Sequence, residues 1–257
     1  MKRMWRAVKC VLIVIAAMYL FLCVSLRVTE REAGEFAGDC MLYYAVNCDG
    51  MKGLGHSILL LVDAEGGGLV LSFNGMQRTL EQALAGKAGV GKMSVGRMSK
   101  EETELFLKTG NLNLDEDQLQ DNYDVAIYRR ITAEEYDAIW DAAAVYIKTG
   151  EEYGEWYSRY MQADSPESRE AYQREMERMG EDDSLPLYQI YTHNCDHAAR
   201  LLTAAIDSDM RGYNQSLHPI TPNGNLKAFA ARNKRWGAVR LGEMTLPEKI
   251  LEFFVIF

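Results

Sequence analysis

The sequence predicts an α+β domain in which an antiparallel sheet packs against helices. Three observations carry this. GLGHSILLLVD (53–63) and LVLSFNG (69–75) are apolar runs on either side of the turn AEGGG (64–68), a pattern that makes a β-hairpin. SKEETELFLKTG (99–110) and ITAEEYDAIWDAAAVYIKTG (131–150) each start at a capping residue and stop at a glycine, as amphipathic helices do. The 257 residues are 48% hydrophobic and 25% charged, ordinary for a globular chain and enough for one sizeable domain with attachments, or two small ones.

In chain order, MKRMWRAVK brings Lys2, Arg3, Arg6 and Lys9, and Cys10 to Leu26 then carries no charge. Residues 1–27 are therefore expected to be a single-pass anchor, with a cytoplasmic N-terminus and the following domain outside the membrane. A cleaved signal peptide is the rival; no small-x-small site before Arg27 supports it. Residues 28–40 are polar and read as a tether. MLYYAV (41–46) reads as a strand, followed by the hairpin. Residues 76–98 are rich in glycine and are expected to be irregular, with a short helix at 79–85.

Ser99 caps the helix that Gly110 ends. YDVAIYRR (123–130) is a strand. Thr132 and Glu135 form a capping box, and Gly150 is expected to end that helix. Residues 151–184, charged and aromatic, read as a solvated helical insertion broken near Pro166. A helix from about 194 to 206, another over 224–233 and a strand near 236–241 complete the domain. Cys40 and Cys48 flank one segment; a bridge between them needs that segment to bend. The net charge of −9 and pI near 5.1 argue against a nucleic-acid surface.

The chemistry concentrates in YQIYTHNCDHAARLLTAAI (188–206). Asn194 is a good N-cap, which puts Cys195 at the first helical position. There the helix's positive end favours thiolate, and the free N–H groups suit an oxyanion. A nucleophilic cysteine needs a base from another element. Of the four histidines, His56, beside two glycines at the start of a strand, is the best candidate. Asn74 on the hairpin's return strand is expected to hold its far nitrogen, with Gln77 in reserve and Ser72 on the same face. His56 is expected to face about Met76. The rival chemistry is zinc held by His193, Cys195 and His197. The thiol chemistry calls for no cofactor.

His56 in its Gly-preceded strand, the hairpin ending SFNG, YRRITAEEYDAIW, then Y-x-I-Y-x-H-N-C-D-H and the later TPNGNL appear in that order. Over roughly residues 41–241 this resembles the circularly permuted papain-like thiol hydrolases and acyltransferases, in which the histidine strand precedes the cysteine helix. The NC followed by an acidic residue and His is similar to the NCEHF of lecithin retinol acyltransferase relatives. The whole progression looks closest to the Lnb-type extracytoplasmic domain, a family linked to membrane-anchored lipoprotein acyl transfer. The resemblance implies a catalytic domain over 41–257, with Cys195 as nucleophile and His56 as base. The implied substrate is a peptide, a lipoprotein or another cell-envelope molecule. It departs in the third residue, where the acyltransferases carry a second histidine and this strand offers Ser72 or Asn74. A non-catalytic, membrane-tethered binding domain on the same fold is the competing expectation.

Overall fold

The computed structural model describes residues 5, 8–17, 29–48, 55–76, 85–114, 120–182, 184–210 and 222–242. The strands are β1 (Cys40–Asn47), β2 (His56–Val62), β3 (Gly68–Gly75), β4 (Gly89–Met98), β5 (Asn111–Asn113), β6 (Gln120–Asn122), β7 (Val125–Ile131), β8 (Leu187–Tyr188) and β9 (Gly237–Arg240). The helices are α1 (Lys100–Thr109), α2 (Ala133–Gln162), α3 (Pro166–Glu181), α4 (Cys195–Thr203) and α5 (Pro222–Arg232). Seven strands form one sheet in the order β8-β4-β3-β2-β1-β7-β9, every pair antiparallel. β5 and β6 pair separately. The α+β class and the antiparallel sheet against helices are as the patterns predict.

The middle strand is β2. HSILLLV is buried at every position, which a continuous apolar run permits and an alternating one does not. Alternation divides the core. Leu42, Tyr44, Leu59, Leu61, Leu71 and Phe73 face one side with Ile139 of α2, Ala198 and Leu202 of α4 and Phe229 of α5. Ala45, Ile58, Leu60 and Val70 face the other with Phe106 of α1 and Tyr123. Each fully buried Leu or Ile contributes about 1.5–3 kcal/mol, so the sheet that carries His56 is the best-anchored part of the molecule.

Local signals hold where they are strong. Ser99 and Glu102 form a full capping box, Gly110 closes α1 in the left-handed conformation, and Thr132 and Glu135 cap α2. Four expectations need correction. Residues 89–98 are not irregular but form β4, a ten-residue strand. Its Gly91 lies where a Cβ would stand 1.9 Å from Cζ of Phe73, so the glycine makes room for a ring rather than marking a loop. Gly150 does not end α2, which runs unbroken to Gln162. This glycine is buried, and a Cβ there would stand 3.1 Å from Cα of Lys92, so it allows α2 to approach β4 closely.

The third correction concerns residues 151–184. The break does fall at Pro166, the first residue of α3, behind Ser165 as cap. The segment is not merely solvated, because Tyr153, Met176 and Met179 bury a small core of their own against Val90. The fourth is the hairpin register. Ile58 pairs with Ser72 and Val62 with Gly68, two residues away from the expected alignment, so His56 does not face Met76. The loop is closed by Asp63, which accepts from the N–H groups of Glu65 and Gly67.

Residues 8–17 are helical and exposed, and among the described residues no helix is long and apolar enough to cross a membrane. Residues 1–4, 6, 7 and 18–27 of the expected anchor lie outside the described residues, as do Gln77 and residues 79–84 of the helix expected at 79–85. Part of the expected tether is stitched to the domain. Arg31 pairs with Ala238, and its guanidinium donates to the carbonyls of Trp236 and Ala230 at 2.7 Å each. Cys40 opens β1 and Cys48 directly follows it; both are buried, and they are not joined by a disulfide, because the continuous strand holds them apart.

Candidate active site

The site forms where the start of α4 meets the start of β2. Gln189 and His193 exchange backbone hydrogen bonds of 3.1 and 2.8 Å, closing a turn directly ahead of the helix. Asn194 then caps α4: its Oδ1 accepts the N–H of His197 at 3.1 Å, and its Nδ2 donates to the Ile190 carbonyl at 3.1 Å. This fixes Cys195 at the first helical position, buried at 2% exposure. On the other side Gly55, with φ of 92°, turns the chain into β2 in a conformation that glycine adopts without strain.

The His56 imidazole and the Cys195 sulfur act on each other's charge. Burial alone would push the thiol up. The charge and polar contact of the imidazole, with the polar groups of Ser57, together outweigh burial and lower the thiol below its ordinary value. For His56, burial lowers, but the negative sulfur and, more distantly, Asp121 leave the imidazole raised. Each partner thus favours the charged form of the other, and the pair leans towards thiolate–imidazolium. The titration belongs to the pair rather than to either residue.

The far side of the imidazole is held by Ser72. Nε2 of His56 lies 3.0 Å from Oγ of Ser72, which is wholly buried. Asn74, expected in that place, stands one step behind, where its Nδ2 donates to Ser72 Oγ at 3.1 Å. The observed chain is Cys195–His56–Ser72–Asn74. The two-residue change in register accounts for the substitution, because it keeps the face and moves the partner. Tyr123 lies beside the ring, with centroids 6.5 Å apart.

Asp196 is a member that the sequence did not single out. It is buried, accepts from the hydroxyl of Tyr44 on β1, from Nε of Arg200 at 3.0 Å and from Nδ2 of Asn225 on α5 at 2.6 Å. Burial raises its carboxyl, against the pull of Arg200, Tyr44 and Asn225. Its three partners come from β1, α4 and α5, so it ties the beginning of the cysteine helix to two neighbouring elements. The only local signal was an acidic residue four positions before an arginine on one helix face.

His193 and His197 face each other with ring centroids 4.6 Å apart, and Nδ1 of His193 lies 2.9 Å from Thr192 Oγ1. Cys195 is engaged with His56 instead, and among the described residues no three His, Cys, Asp or Glu side chains gather as a metal-binding group. The zinc arrangement of His193, Cys195 and His197 is therefore not formed. The two imidazoles instead border a cavity of about 290 Å³, whose other walls include Phe73, Tyr146, Leu187 and Ala198. Ala198 is one helical turn from Cys195, but neither Cys195 nor His56 is among the residues that line the cavity.

No family model matches the chain, and no curated protein or solved structure matches it.

Proposed function

We propose that this chain is a thiol enzyme that acts on an amide or ester carbonyl through an acyl-enzyme, as an amidase, peptidase or acyltransferase. The observation that carries the proposal is the buried Cys195 at a helix start, electrostatically paired with His56, with Ser72 behind the imidazole. The thiolate attacks the carbonyl carbon. The amides at the first positions of α4 have no intrahelical acceptor and suit the oxyanion. His56 gives its proton to the leaving group, and the sulfur remains acylated. Water or a second acceptor then attacks, with His56 taking its proton, and Cys195 is released.

The fold is read as permuted papain-like because the histidine strand comes before the cysteine helix. A peptide, lipoprotein or other cell-envelope substrate follows from that reading and from the charge-free segment behind four basic residues, taken as a membrane anchor. An activity-based thiol probe is expected to label the wild type at Cys195, to fail on Cys195→Ala and to label His56→Ala weakly. Equal labelling of all three defeats the proposal.

One observation favours a second reading, a non-catalytic binding domain: Cys195 is only 2% exposed. Under that reading the folded protein leaves Cys195 unlabelled at neutral pH and labels it only after unfolding.

A further inference from the structure

Ser57 follows the candidate base in sequence and is among the groups that lower the Cys195 thiol. It is 1% exposed, and its Oγ has no hydrogen-bond partner of ordinary geometry. Folded proteins seldom leave a buried hydroxyl so placed, and each case asks for an explanation. Strand alternation turns Ser57 to the same side as Leu59 and Leu61, the side on which Ala198 and Leu202 of α4 pack. Both its backbone N–H and its hydroxyl act on Cys195. A neutral thiol is a weak acceptor, whereas a thiolate is a strong one.

We propose that the Ser57 hydroxyl is a donor reserved for negative charge on the Cys195 sulfur: it is unsatisfied while the thiol is neutral and forms its hydrogen bond when the proton leaves for His56. The hydroxyl keeps its own proton throughout; only the hydrogen bond is made and broken. This rests on the thiolate reading of Cys195. The other ionisable groups that act on the sulfur are His56 on β2, Tyr44 on β1, Tyr123 ahead of β7 and Tyr188 on β8. The three phenols are raised, chiefly by burial, so the imidazole is the group that titrates with the sulfur in the acid-to-neutral range.

The test is the pH dependence of iodoacetamide alkylation, read at the Cys195 peptide by mass spectrometry so that the other cysteines do not count. Ser57→Ala is expected to move the inflection up by about one pH unit, which is about tenfold slower alkylation on the acid limb. The rate at high pH should stay the same, and the Tm should not fall on the acid side of the inflection, where the thiol is neutral and the substitution removes an unsatisfied group. Ser57→Thr and Ser57→Val form a second comparison on a β-branched side chain suited to a strand. Thr should keep the low inflection and Val should lose it. An inflection unmoved in Ser57→Ala, or equal in the Thr and Val variants, overturns the proposal. His56→Ala separates the two levels of inference. If it raises the inflection while the Ser57 variants do not, only the role of Ser57 fails. If it also leaves the inflection in place, the Cys195–His56 reading itself fails.

Discussion

Replacing Ser72 by alanine should do more harm than replacing Asn74, although Asn74 carries the larger polar group. In the thiolate–imidazolium state both ring nitrogens of His56 are donors, one towards the sulfur and the other towards Ser72 Oγ at 3.0 Å. A hydrogen bond to a charged group is worth about 1.5–3 kcal/mol. Lost in full from the reactive state, that slows Cys195 roughly 10- to 150-fold. Asn74 reaches the ring only through its 3.1 Å bond to Ser72. A neutral bond of about 0.5–1.5 kcal/mol sets its ceiling near tenfold. Ser72→Ala also leaves buried polar groups short of a partner, at about 1–3 kcal/mol. For a domain of this size that lowers Tm by roughly 2–12 °C. The assay is the second-order rate of Cys195 alkylation at pH 6.5, with Tm recorded alongside. An Asn74→Ala effect equal to or larger than that of Ser72→Ala refutes the order of contacts.

The charge state of the pair sets a pH window. The thiol is lowered and the imidazole raised, so probe turnover should follow a bell whose acid limb lies below the ordinary thiol value and whose alkaline limb lies above the ordinary imidazole value. A single inflection near the free thiol value of about 8.5 contradicts it. In stability, His56 contributes fully below its unfolded value and loses that as pH rises through its folded one. Cys195 contributes fully above its unfolded value and loses that as pH falls through its folded one, so His56→Ala should flatten both limbs of Tm against pH. Gly91→Ala places a Cβ 1.9 Å from Phe73 Cζ and should cost about 1–3 kcal/mol by denaturant unfolding; an unchanged midpoint speaks against the tight contact. Thr132→Ala removes the side-chain acceptor for Glu135 N–H at the start of α2 and should cost about 1 kcal/mol in the same assay.

What could be read ahead of the structure was what depends on neighbours in sequence. Ser99 as a cap, Thr132 with Glu135 and Asn194 as a cap are decided within one turn of helix, and all three caps form. Gly91 and Gly150 were misread for the opposite reason. Each lacks a side chain because something distant in sequence, Phe73 or Lys92, comes close, and local propensity sees only a breaker. The third position of the site turned on the register of one hairpin, which the Asp63 loop sets and the apolar pattern does not. Asp196 was invisible because its partners Tyr44 and Asn225 meet it only in the assembled fold.

The place of β2 at the middle of the sheet has a consequence for the life of the thiol. A reactive pair on a peripheral hairpin can form before the rest of the molecule. Here the imidazole sits on a strand that needs both neighbours in register, and the sulfur arrives from a helix far along the chain. Long-range contacts of this kind form late in folding. Until then Cys195 is an ordinary thiol, slow to react near neutral pH and indifferent to His56. On the proposed thiol-enzyme reading, enhanced nucleophilicity at acid pH is a property of the finished fold, and a nascent or unravelled copy lacks it. Labelling of Cys195 at acid pH should accordingly report the fraction of molecules that have completed their sheet.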